Sequence, residues 1–115
     1  MAHALVVEDD LLLNRIFNDM VADMGYAVTA ADNPDAARRA LRDHDYQIVV
    51  TDLDLCGDSE GGLTLADEIR RQGLRALIVI VSGHPKPARL RPEICFLQKP
   101  FTMAQLQGVL DQSAL

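Results

Sequence analysis

The sequence predicts an α/β protein with a doubly wound, five-stranded parallel sheet, and three observations carry that prediction. Five short apolar runs, at residues 4–7, 27–31, 47–51, 76–81 and 94–97, alternate with segments of helical period. The runs Ile48-Val49-Val50 and Leu77-Ile78-Val79-Ile80-Val81 are apolar without alternation, as strands covered by helices on both faces require. The chain has 115 residues, 49% hydrophobic and 24% charged, which suits one globular domain over residues 1–115 and leaves no room for a separate output domain.

The helices follow in order. Leu13, Ile16, Phe17, Met20, Val21 and Met24 share one helical face after the first strand, and Gly25 stops that helix. Asn33-Pro34 supplies a cap and a first-turn proline for a second helix carrying Ala37, Ala40 and Leu41. Leu63, Ala66 and Ile69 mark a third, closed near Gly73. Thr102 and Gln105 have capping-box spacing ahead of a last helix with Leu106, Val109 and Leu110. The segment 82–93 differs, because Pro85, Pro87 and Pro92 leave space for little more than one helical turn. The fourth helix, which would cross from the fourth strand to the fifth, is therefore expected to be shortened or absent. Lys86, Arg89 and Arg91 make that crossover basic, as a solvated loop or as a surface for an acidic partner.

Charge is distributed unevenly. The net charge is −6, but residues 1–60 carry 13 Asp and Glu against 4 Lys and Arg, while residues 61–115 carry 4 against 7. An acidic domain lacks the basic face that releases counterions from a duplex, so direct nucleic-acid binding is not expected. Cys56 and Cys95 are too few for a disulfide framework and suit a reducing, cytoplasmic setting. No apolar run approaches a membrane span.

Chemistry is expected at the carboxyl ends of the strands, where open parallel sheets bind ligands. The first strand leads into Glu8-Asp9-Asp10, the third into Thr51-Asp52-Leu53-Asp54, the fourth into Ser82-Gly83 and the fifth into Lys99-Pro100. Gathered carboxylates need a cation, and hard oxygens suit Mg²⁺. A lysine and a small hydroxyl are suited to phosphoryl oxygens. Together these groups point to phosphoryl transfer onto an aspartate.

In Val6-Val7-Glu8-Asp9-Asp10, Val49-Val50-Thr51-Asp52, Val81-Ser82-Gly83 and Phe96-Leu97-Gln98-Lys99-Pro100-Phe101, the chain resembles the response-regulator receiver domains of two-component signalling, over essentially its whole length. The resemblance implies a flavodoxin-like strand order 2-1-3-4-5 and a stand-alone receiver. It implies that Asp52 accepts a phosphoryl group, and that Glu8, Asp9, Asp52 and the backbone carbonyl of Asp54 hold Mg²⁺ or Mn²⁺. Ser82 and Lys99 would bind the phosphoryl oxygens, Ser82 and Phe96 would form the switch, and the Lys99-Pro100 bond would be cis. Implied partners are a sensor histidine kinase, a histidine phosphotransfer protein, or both, and a downstream protein contact. No membrane insertion is implied, and the protein would be a self-phosphorylating and self-dephosphorylating switch rather than a turnover enzyme.

Three departures from the family pattern bear on function. The family commonly has a proline where this chain has Cys56, and the stretch 57–62 looks a residue or two long. Asp54 would add negative charge beside the phosphoryl group, and with His84 on the other side it is a candidate modulator of dephosphorylation. The shortened fourth helix removes much of the family's usual output face. Two alternatives remain. One is a receiver-like binding module that is never phosphorylated. The other is a small aspartyl-phosphate phosphatase, since Asp52-Leu53-Asp54 echoes the D-x-D of haloacid dehalogenase-like phosphatases. Those enzymes place that strand first and need further acids after the lysine, where here only Asp111 follows Lys99.

Overall fold

Strands and helices alternate along residues 2–88 and 90–113, the residues that the computed structural model describes. They are β1 (His3–Val7), α1 (Leu11–Asp23), β2 (Ala27–Ala31), α2 (Pro34–Asp43), β3 (Ile48–Asp52), α3 (Gly61–Arg71), β4 (Leu77–Ser82), β5 (Cys95–Gln98) and α4 (Met103–Ser113). All neighbouring strands pair in parallel, in the order β2-β1-β3-β4-β5, as expected.

The unbroken apolar strands are buried on both faces. On one face Leu5, Val7, Val49, Ile78 and Ile80 pack with Ala37 of α2 and with Leu65, Ala66 and Ile69 of α3. On the other, Ala4, Val6, Ile48, Val50, Val79 and Val81 pack with Phe17 and Val21 of α1 and with Leu106 and Leu110 of α4. The sheet thus separates two aliphatic cores. Right-handed crossovers produce this arrangement: α1 leads toward one edge of the sheet and packs on one face, while α2 and α3 lead toward the other edge and pack on the opposite face.

Local signals act where the sequence places them. Asn33 Oδ1 accepts the Ala36 N–H at 2.8 Å with Pro34 opening α2, a cap worth about 1 kcal/mol. The Thr102 hydroxyl accepts the Gln105 N–H while Gln105 Oε1 accepts the Thr102 N–H, a reciprocal capping box at α4. The crossover from β4 to β5 is shortened to isolated turns, closed by Leu90 N–H to Pro87 C=O at 3.4 Å and Ile94 N–H to Arg91 C=O at 3.1 Å. Lys86 is exposed there, and Arg91 pairs with Asp67 and Glu93. Arg89 lies outside the described residues.

Several boundaries move. β3, β4 and β5 each begin and end one residue later than their apolar runs, so Asp52 and Ser82 lie within strands rather than just beyond them. Gly61 and Gly62 belong to the first turn of α3, so the loop after Asp52 is shorter than the run of glycines suggests.

Candidate functional site

The topology brings the strand-end groups together. The order reverses between β1 and β3, and Val7 is paired with Thr51, which sets Glu8 beside Asp52. Asp52 pairs with Val81 on β4, and the Lys99 N–H donates to the Ser82 carbonyl at 2.7 Å. One cleft is lined by Glu8, Asp9, Asp52, Asp54, Ser82, His84 and Lys99, with Asp10, Leu13 and Gly83 at its margin.

Lys99 stands at its centre. Its ammonium Nζ donates to Glu8 Oε1 at 2.9 Å and lies 3.2 Å from Asp52 Oδ1. The same nitrogen sits 5.7 Å from the centre of the Phe17 ring, which stacks with Phe101. The Lys99-Pro100 bond is cis, as the resemblance implied. Burial lowers the tendency of Lys99 to hold its proton, but Glu8 and Asp52 outweigh burial and raise its pKa above the ordinary lysine range.

The carboxylates differ among themselves. Glu8 is 1% exposed, and burial pushes its pKa up to about 7, with Lys99 opposing and Asp52 reinforcing the change. Asp9 is exposed. Its slight burial works upward, but the Cys56 N–H donating to Oδ2 at 2.9 Å leads the interactions that bring it below the usual carboxylate range. Asp52 is buried at the end of β3. Oxygens of Glu8, Asp9 and Asp52 lie within 4.8 Å of one another. Three carboxylates against one ammonium leave negative charge in excess. This all-oxygen set fits a small hard dication that keeps part of its water shell.

Other residues stand around the carboxylates and the lysine. Asp10 caps α1, its Oδ1 accepting the N–H groups of Leu12 and Leu13 at 3.0 and 3.1 Å. Phe96 is half-buried against the core on the side of α2 and α3. Asp54 and His84 are exposed at the rim, and the His84 N–H donates to Ser82 Oγ at 3.0 Å.

Three residues support the site in roles that the sequence did not assign to them. Asn14 Nδ2 donates to the carbonyls of Glu8 and Ala31, both at 2.9 Å, tying the ends of β1 and β2 together under the site. Gly62 lies against the phosphoacceptor candidate itself, since a β-carbon there would overlap the Asp52 carbonyl oxygen and sit 2.9 Å from Leu53 Cα. Cys56 supplies the amide that holds Asp9. An asparagine within the first helical turn after an acidic strand end was the available signal for Asn14, and the replacement of the family's usual proline was the signal for Cys56; Gly62 had none.

A family model described as the response regulator receiver domain matches residues 4–111. The chain is similar to the nitrogen assimilation regulatory protein NtrX of Azorhizobium caulinodans, 27% identical over 119 residues that cover 98% of this chain and 26% of NtrX. It is 32% identical over 78 residues to the aerobic respiration control protein ArcA of Escherichia coli K12, covering 68% of this chain and 32% of ArcA. The chain therefore spans about a quarter to a third of these curated relatives. Among solved structures, a CheY-like response regulator receiver domain from Methylobacillus flagellatus superposes with a TM-score of 0.82 at 26% identity, covering 98% of both chains.

Proposed function

The chain belongs to the response regulator receiver domain family, and from that membership we propose that it accepts a phosphoryl group on Asp52 from a phosphohistidine of a kinase or histidine phosphotransfer protein. The observation that carries this reading is the shared ammonium of Lys99, 2.9 Å from Glu8 and 3.2 Å from Asp52 at the strand-order reversal.

In the proposed transfer an Asp52 carboxylate oxygen attacks phosphorus, the bond from phosphorus to the imidazole nitrogen breaks, and that nitrogen keeps the bonding pair. Glu8, Asp9, Asp52 and the Asp54 backbone carbonyl would hold Mg²⁺ or Mn²⁺, which when bound neutralises charge between carboxylate and phosphoryl oxygens. Lys99 orients Asp52 beforehand and offers a fixed positive charge to the phosphoryl group. Ser82 Oγ accepts from the His84 N–H, so its own proton can turn toward a phosphoryl oxygen. Movement of Ser82 toward that oxygen, followed by Phe96, would be the switch that alters protein contacts. The domain acts on itself and is not a turnover enzyme.

The surface beside the cleft supports docking of an amphipathic donor helix. Leu11 and Leu12 are 72% and 69% exposed at the start of α1. An apolar groove continues from them along Leu13, Ile16, Phe17, Met20, Pro100 and Phe101. Among the described residues no helix is long and apolar enough to cross a membrane.

Acetyl phosphate with Mg²⁺ tests the acceptor. Intact-mass measurement should show one added phosphoryl group on the wild type and none on Asp52→Ala. Absence of labelling by acetyl phosphate and by phosphorylated kinase would instead favour a binding module that is never phosphorylated.

A further inference from the structure

An exposed aspartate ordinarily samples several rotamers, and ordering one costs entropy. Asp9 is exposed, yet its Oδ2 accepts the Cys56 backbone N–H at 2.9 Å. In that rotamer its carboxylate converges with those of Glu8 and Asp52 to within 4.8 Å.

The amide that does this comes from an unusual turn. Leu55 and Asp58 exchange both backbone hydrogen bonds, at 3.0 and 2.9 Å, and enclose Cys56 at φ +53° and Gly57 at φ +84°. Two consecutive positive φ values in a two-residue loop are the signature of a type I′ turn, which favours Asn-Gly. Gly57 suits its place. Cys56 carries a β-carbon in the left-handed region, which L-residues seldom occupy. Such a backbone persists when its surroundings over-determine it. Here they do: the Leu55 side chain is fully buried, the 55–58 pair closes the loop, and the Cys56 N–H is used by Asp9. Proline at this position could neither adopt φ +53° nor donate.

We propose that the Cys56 amide, presented by the left-handed 55–58 turn, is a positioning group that holds Asp9 toward Glu8 and Asp52, so that this turn sets the affinity of the site for a divalent cation. The inference rests on the receiver reading above and adds to it a residue that touches neither phosphoryl group nor cation through its side chain.

Two measurements on the full chain test it. In metal-free protein, hydrogen exchange at the Cys56 amide should be about tenfold faster in Asp9→Ala than in wild type, the scale of one lost hydrogen bond. For the cation, Mn²⁺ binding followed by electron paramagnetic resonance should leave Cys56→Asn within about twofold of wild type and weaken Cys56→Pro by about tenfold, with circular dichroism confirming that both fold. A folded Cys56→Pro that binds Mn²⁺ as tightly as wild type overturns the proposal. So does a Cys56 amide that exchanges at one rate with and without the Asp9 carboxylate, which decides the matter if Cys56→Pro does not fold. Labelling of Asp52 separates the two readings. No labelling while Mn²⁺ affinity follows the turn overturns the phosphoacceptor reading alone. Labelling while affinity ignores the turn overturns the positioning role alone.

Discussion

Replacing Glu8 with glutamine isolates the charge that the cleft tolerates least. Glu8 is 1% exposed and carries a pKa of about 7, where an unperturbed group has 4.5. The folded value lies above the unfolded one, so between the two the folded chain keeps a proton that the unfolded chain has released. Stability from this group is therefore intact below about pH 4.5, declines as pH rises toward 7, and is lost above that value. At about 1.4 kcal/mol per pH unit, the gap between 4.5 and 7 amounts to on the order of 3 kcal/mol. Glutamine copies the shape of the protonated acid without its charge. Urea denaturation in EDTA should give nearly equal stabilities for wild type and Glu8→Gln at about pH 5, and a variant more stable by roughly 2–3 kcal/mol at about pH 8. Mg²⁺ should narrow the gap by stabilising the wild type more than the variant. A difference that does not change with pH, or a variant less stable than wild type at pH 8, refutes the reasoning.

Other perturbations probe the supports of the site. Gly62→Ala forces the start of α3 away from the Asp52 carbonyl, and it should cost about 3 kcal/mol in urea denaturation and slow labelling of Asp52. Asn14→Ala leaves the carbonyls of Glu8 and Ala31 without their side-chain donor and should lower stability by about 2 kcal/mol, seen as a lower Tm. Asp54→Asn removes a charge from the rim of the cleft and should change the lifetime of phospho-Asp52, followed by intact mass after removal of acetyl phosphate; an unchanged lifetime would exclude Asp54 as a modulator.

The fold was legible because its signals were local and redundant. Asn33-Pro34, Thr102 with Gln105 and the unbroken aliphatic runs each name an element without reference to the rest of the chain. The ends of strands were less clear, since hydropathy falls at Asp52 and Ser82 while the hydrogen-bond ladder continues through them. Polar side chains that serve a site look like the start of a loop. Within the site, Glu8, Asp9, Asp52, Ser82 and Lys99 could be read because their chemistry is rare at successive strand ends. Asp10 stood in the same acidic cluster and yet caps α1, a choice that depends on side-chain direction rather than composition. Cys56 and Gly62 act through backbone geometry, as an amide in one case and a missing β-carbon in the other, and residue type alone reports neither.

The lysine that offsets part of the cleft's negative charge follows directly from the least protected strand. β3 is buried at every position, whereas β5 is an edge strand of four residues, none fully buried, and among the described residues it pairs with β4 alone and is preceded by turns and no covering helix. Local opening of a protein starts where few apolar contacts and short ladders hold the chain. Fraying of β5 would carry Lys99 away from both Glu8 and Asp52, so the charge balance of the cleft is coupled to a sub-global unfolding equilibrium at the far edge of the sheet. A partner that clasped the β4–β5 crossover would restrain that opening without touching the cleft, and would hold the lysine in place.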